Sequence, residues 1–258
     1  MATYIQLCMF RLFHKKPGKV CFKKTLFLYR RIAYTPAFPG EVESSEKLEE
    51  TKRQVQVLHL NSSGSDERSY TGIAARKFFQ NYLAINSYHN VKEINLWDKD
   101  LLQYDLSHVA SKMRMVSGDV RQNDKENFAP VEKMIKTLFS ANKLVISSPM
   151  WNYSVPYVLK QYIDCVVQPG LTFRESKSGP RGLLTGRPLL LITSSGGDYS
   201  SDAEMSRLDY QVPYLKDIFG LIGFTDVRHI YVKNTAYTKR EELLEYINYA
   251  TKKEADLF

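Results

Sequence analysis

Two short, uninterrupted apolar runs constrain this chain most: residues 143–148 (KLVISS), stopping at Pro149, and residues 189–194 (LLLITS), stopping before Gly196 and Gly197. A run of this length without polar alternation suits a strand buried on both faces, as in the middle of a parallel sheet covered by helices. Weaker strand signals at 54–60 (QVQVLHL), 91–96 and 227–232 accompany them. Helical spacing lies between the strands. It predicts helices over 71–86 (Ala74, Ala75, Phe78, Phe79 and Leu83 on one side), 106–121, 130–140, 156–167, 212–221 and 240–252. Pro156 suits a first helical turn. Five strands alternating with helices, and no internal repeat, specify an α/β doubly wound five-stranded parallel sheet with helices on both faces. In such sheets ligands bind where loops leave the carboxyl ends of strands at the topological switch point. The loops after the first, third and fourth strands are therefore the ones to search.

Composition matters chiefly for what it excludes. The formal net charge is +8, but residues 1–40 carry eight basic side chains and no acid. Beyond them, 28 basic residues face 28 acidic ones. Residues 41–258 are thus neutral overall, which argues against binding to a nucleic-acid backbone. Cys8, Cys21 and Cys165 form no CxxC pair, and the five histidines have no metal-ligand spacing, so neither a disulfide framework nor a metal is implied. No apolar run approaches the about 20 residues that span a bilayer, so a soluble protein is expected. Residues 1–53 read as a basic extension and a Pro- and charge-rich linker, with 54–258 as the folded domain. The extension resembles an organellar transit peptide, which would place the protein in an organelle matrix. A structureless extension or an upstream start codon are the alternatives, with a cytoplasmic protein.

The first loop, 61–71 (NSSGSDERSYT), runs into a helix. Its hydroxyls and the helix N-terminus could cradle a phosphate, or Ser69 or Thr71 could simply cap the helix. Neither GxGxxG nor GxxxxGK[ST] is present. The loop after the third strand, Pro149 to Pro156 (PMWNYSVP), sets two aromatics around Asn152, a natural wall for a flat ring, unless Met150 and Trp151 only pack in the core. After the fourth strand, Ser194, Ser195, Gly196 and Gly197 would let backbone approach a ligand closely, although such a sequence is often only a turn. Cys165 and His59 read as buried structural residues, and Lys160 and Asp164 as an i, i+4 surface pair.

Residues 149–173 (PMWNYSVPYVLKQYIDCVVQPGLTF), 179–197 (GPRGLLTGRPLLLITSSGG) and the SSxxxxxSxT pattern at 62–71 resemble the FMN-dependent NADH-azoreductase and NAD(P)H quinone oxidoreductase family. The likeness extends from about residue 54 onward. It implies a flavodoxin-like fold and noncovalent FMN. It also implies a homodimer with active sites at the subunit interface, and ping-pong reduction of quinones and azo compounds by NADH or NADPH. Carried over by position, Ser63, Ser69, Tyr70 and Thr71 would hold the phosphate end. Met150, Trp151, Asn152 and Tyr153 would frame the isoalloxazine, and Ser194, Ser195, Gly196 and Gly197 would meet its polar edge; Phe173, together with an aromatic side chain of the partner subunit, is expected to line the acceptor pocket. Trp151, Tyr153 and Ser195 depart from the family's usual Tyr, Phe and Arg, which bears on substrate preference. A flavodoxin-like electron carrier and a non-catalytic flavin-binding module are the competing readings. The neutral core tells against the carrier, which is usually acidic around its flavin.

Overall fold

The computed structural model describes residues 55–64 and 67–258; the expectations for residues 1–53 lie outside the described residues. Five parallel strands form the main sheet: β1 (Gln56–Asn61), β2 (Asn90–Asn95), β3 (Lys143–Pro149), β6 (Pro188–Ser194) and β7 (Asp226–Val232). Their order is β2-β1-β3-β6-β7, so the chain reverses its direction of travel across the sheet between β1 and β3. Asn61 pairs with Ser147, Pro149 with Ser194 and Ser194 with Val232, which aligns the carboxyl ends along one edge.

Successive residues of a strand face opposite sides, and the core divides accordingly. Val57, Val145, Leu190 and Ile192 pack with Ala74, Phe78 and Tyr82 of α1 (Tyr70–Ile85) and with Leu243 and Ile247 of α6 (Arg240–Leu257). Leu58, Leu60, Leu144, Ile146, Leu189 and Leu191 face the other layer. That layer is built from α3 (Asp124–Ser140), α4 (Tyr157–Val166) and α5 (Val212–Ile222), with α2 (Leu106–Ser117) outside them.

Several boundaries differ from the sequence reading. Helix α2 stops at Ser117, because Gly118 takes a left-handed conformation (φ 83) that closes it. Helix α3 begins at Asp124 rather than Pro130. Its first turns are held by a contact between helices: the buried Asp124 carboxylate accepts hydrogen bonds from Arg114 Nε and Nη2 and from the backbone of Arg121. Helix α6 continues to Leu257, since Ala255 and Phe258 extend its buried face and Lys143 Nζ donates to the Phe258 carbonyl. An antiparallel hairpin, β4 (Phe173–Ser176) and β5 (Gly179–Gly182), is an addition that the sequence reading missed. It lies so close to the end of α5 that a Cβ on Gly182 would come within 2.3 Å of the Gly223 backbone.

Candidate flavin site at the carboxyl edge of the sheet

The three loops meet as the topology requires. Thr71, in the first turn of α1, is fully buried, and its Oγ1 lies 2.5 Å from Ser194 Oγ at the end of β6. Met150 N donates to the Ser194 carbonyl at 2.8 Å. The helix-start loop, the β3 loop and the β6 loop are thereby tied together around Ser194.

In the first loop, Ser69 caps α1, its side chain accepting from Gly72 N at 3.3 Å. Ser63 is held from below, its backbone N and its Oγ both donating to Asn61 Oδ1 at 3.0 and 2.7 Å. The Tyr70 ring lies under the Arg240 guanidinium, 5.7 Å from its centroid. In the β3 loop Asn152 and Tyr153 hold left-handed backbone, with φ 49 and 67. Such conformations are uncommon for a non-glycine residue and cluster at functional sites. They are kept by a tight turn in which Trp151 and Ser154 exchange backbone hydrogen bonds, and by Tyr210 N donating to the Tyr153 carbonyl. Behind this loop the fully buried Gln211 donates through Nε2 to the carbonyls of Ser148 and Pro149. Trp151 and Tyr153 stay about half exposed, Trp151 packing at 5.2 Å on Trp97, whose Nε1 donates to the Ser62 carbonyl.

The β6 loop rests on β7. Ser195 Oγ lies 2.6 Å from Tyr231 Oη, and Tyr199 N donates to that phenol at 3.0 Å. Asp198 pairs with Lys233 at 2.7 Å, and hydrogen bonds from Lys233 and Ser200 hold its carboxyl at about 2. Deeper in β7, burial pushes His229 down to about 4, leaving a neutral ring hydrogen-bonded to Thr193. Gly196 and Gly197 have φ values outside the left-handed range, and a Cβ would meet nothing closer than 3.7 Å at Gly196 and 3.4 Å at Gly197. The protein's own packing therefore does not require glycine at either position. A ligand approaching the backbone would.

A cavity of about 910 Å³ opens beside the β3 loop, lined by Trp151, Asn152, Tyr104, Tyr157, Tyr210 and Tyr214 among others. Its size and aromatic walls suit a flat organic molecule. The structure does not bring Phe173 to this cavity. Pairing with Gly182 at the start of the hairpin, Phe173 packs into the core with only 8% exposure. Cys165 is fully buried with its thiol pushed up to about 12 by burial, and Lys160 and Asp164 pair at 2.7 Å.

Comparison with known proteins bears on this geometry. Residues 55–253 match the flavodoxin-like fold family. An FMN-dependent NADH:quinone oxidoreductase of Nitratidesulfovibrio vulgaris is 34% identical over 197 residues, covering 73% of this chain and 94% of the relative. This chain belongs to that flavodoxin-like oxidoreductase family. A second member, FMN-dependent NADH:quinone oxidoreductase 1 of Bradyrhizobium diazoefficiens, is 34% identical over 177 residues, 68% of this chain and 85% of its own. Among solved structures, an FMN-dependent NADH-azoreductase from Bacillus anthracis in complex with FMN superposes with a TM-score of 0.73. It is 24% identical, with 79% of this chain and 99% of the other covered, a likeness of fold.

Trp97, Gln211 and Tyr231 escaped the sequence reading. None belongs to a motif, and each acts by supporting a loop from a neighbouring strand or helix. Asn234, left-handed at φ 55 and donating from its backbone to the Gly197 carbonyl, carried a weak signal as a turn-favouring residue after a strand.

Proposed function

We propose that this chain is an FMN-dependent NAD(P)H oxidoreductase that reduces quinones, and azo compounds by the same chemistry. The observation that carries the reading is the Gly196–Gly197 pair, unneeded by the fold and set where three loops converge at the carboxyl ends of the strands. Family membership supports the same cofactor. Bound there, FMN would supply the hydride-accepting and electron-transferring chemistry between the reduced nicotinamide and the acceptor. The chain's own residues bind and orient it. Ser63, Ser69, Tyr70 and Thr71 hold the phosphate end, where the N-terminus of α1 favours negative charge. Met150, Trp151, Asn152 and Tyr153 frame the ring. Ser194, Ser195, Gly196 and Gly197 meet its polar edge, the two glycine N–H groups serving as donors that need no reorganisation.

One aromatic cleft serves donor and acceptor in turn, giving ping-pong turnover. Parallel double-reciprocal lines for NADH against a benzoquinone are the expected pattern, and intersecting lines would refute the shared cleft. We assign residues 54–258 to the flavin domain. We also propose a homodimer. Leu106, Val109, Met113 and Val116 form an exposed apolar stripe along α2, which begins two residues after the cavity residue Tyr104. A second copy of the chain on that face would bury the stripe and extend the cleft wall. Met113→Glu should then yield a monomer in light scattering with quinone turnover reduced; an unchanged dimer would place the interface elsewhere.

A further inference from the structure

Three successive carbonyls of the β6 loop are bound to one short segment. Those of Ser195, Gly196 and Gly197 accept from the backbone N–H groups of Thr235, Ala236 and Asn234 at 3.1, 3.1 and 3.0 Å, and Thr235 Oγ1 adds a second bond to the Ser195 carbonyl at 3.0 Å. The donors follow β7 directly, in a turn entered through the left-handed Asn234 (φ 55). The Asn234 side chain makes no hydrogen bond among the described residues, so its contribution is its backbone conformation.

A peptide unit is planar and trans, so the N–H of each residue points opposite to the carbonyl before it. With three carbonyls fixed toward residues 234–236, the N–H groups of Gly196, Gly197 and Asp198 point away from that segment. In the sheet β7 lies on one side of β6 and β3 on the other. The three N–H groups therefore face the side of the β3 loop, whose Tyr153 meets Tyr199 at 5.8 Å between ring centroids. None of them donates to a protein acceptor among the described residues. The Asp198 carboxylate, which would oppose an anion there, is tied to Lys233 at 2.7 Å and accepts from Ser200 N and Oγ at 2.9 and 2.6 Å. Successive N–H groups on one side of a loop form a concavity suited to negative charge.

We propose that Asn234 is a positioning residue for flavin reduction. Its left-handed backbone brings the N–H groups of residues 234–236 onto the β6 loop, and so holds those of Gly196, Gly197 and Asp198 as a fixed row of three donors for the negative charge that the ring system gains on reduction. The proposal rests on the FMN reading given above; it adds a third donor, Asp198 N–H, and the segment that orients all three. Donors fixed in advance favour the charged form without reorganising, and a hydrogen bond to a charged acceptor is about twice as strong as one to a neutral acceptor. The row therefore holds reduced FMN more tightly than oxidised FMN, which raises the potential of the bound cofactor.

The test measures the two-electron potential of bound FMN, by equilibration with reference dyes, and the apoprotein Tm, on the full chain as wild type, Asn234→Ala, Asn234→Gly and Thr235→Val. Alanine disfavours the left-handed backbone that glycine adopts freely, and valine at position 235 removes the Oγ1 bond while leaving the backbone donors in place. Asn234→Ala should bind reduced FMN about tenfold more weakly relative to oxidised FMN, the added worth of one hydrogen bond to a charged acceptor. For a two-electron couple this is a fall of about 30 mV. Thr235→Val should shift the potential the same way by less, and Asn234→Gly should keep the wild-type value. A potential unchanged in Asn234→Ala would overturn the proposal even with a lower Tm, since the segment would then support the fold alone. So would a fall in Asn234→Gly as large as in Asn234→Ala, which would remove the left-handed backbone as the cause. Should Asn234→Ala not fold, Thr235→Val decides, and a potential unchanged there overturns the proposal. If wild type retains no FMN, the cofactor reading itself falls, and the proposal with it.

Discussion

Alanine at Gly196 should move two measurable quantities in opposite directions. The backbone there lies outside the left-handed range, and a Cβ would find its nearest neighbour, the Ala236 Cβ, at 3.7 Å, an ordinary contact. Where alanine fits without strain, replacing glycine stabilises by about 0.4–1 kcal/mol through the unfolded chain. For a domain of this size that corresponds to a rise of about 1–4 °C in apoprotein Tm. The same methyl group would stand where the loop approaches the flavin. Forcing an extra carbon into a packed contact costs about 1–3 kcal/mol, or about 5- to 150-fold in FMN Kd. Scanning fluorimetry of the flavin-free protein and a fluorescence titration with FMN measure the two effects separately. A fall of several degrees in apoprotein Tm would mean that the fold itself needs this glycine. An FMN affinity unchanged in Gly196→Ala would mean that no cofactor approaches the loop, and the site would have to be sought elsewhere.

Thr71→Val keeps shape but leaves the buried Ser194 Oγ without its partner, at a cost of about 1–3 kcal/mol; calorimetry should show a lower Tm, and an unchanged Tm would mean that the hydroxyl pair contributes nothing. In Gly182→Ala the added Cβ meets backbone of Ile222 and Gly223 at 2.3 Å, so the hairpin or the end of α5 must move, and the Tm should fall by more than for Thr71→Val. The Arg114 guanidinium holds the Asp124 carboxyl well below the usual carboxylate range. A depressed folded pKa gives stabilisation that is complete above the unfolded value, about 4, and is lost as pH falls through the folded one. Asp124→Asn should therefore lower the Tm by a constant amount from neutrality to about pH 5, with the gap narrowing in stronger acid. Equal gaps at all pH values would exclude an ionic origin.

What the sequence made legible follows from the range of the forces involved. Strands β3 and β6 were readable to within a residue or so because burial on both faces leaves an unbroken apolar run, and the same feature located the loops at their carboxyl ends. The hairpin was not, since FRES and GPRG have no apolar alternation; the Ser178-Gly179-Pro180 turn signal between them does not specify a pairing, which is stabilised by the neighbouring α5. Helix α3 was placed six residues late because Pro130 looks like a helix start, whereas the true start depends on an ion pair with α2 that no periodicity records. Phe173, expected at the acceptor pocket, is buried at the start of the hairpin in the single chain, a placement that its position in a motif does not record. In the site, the hydroxyls and glycines were visible as residue types. The left-handed turn at Asn152 and Tyr153 is shaped by a local Trp151–Ser154 exchange together with a distant hydrogen bond from Tyr210, and the support from Gln211 and Tyr231 arises from long-range pairing.

The central claim is most directly tested by the visible absorption spectrum of the purified full chain after incubation with FMN, followed anaerobically through one addition of NADH and then one of a benzoquinone. The account predicts protein-bound yellow absorbance that bleaches with NADH and returns with the quinone. A protein that retains no FMN after desalting, or whose bound FMN stays oxidised in excess NADH, would contradict it.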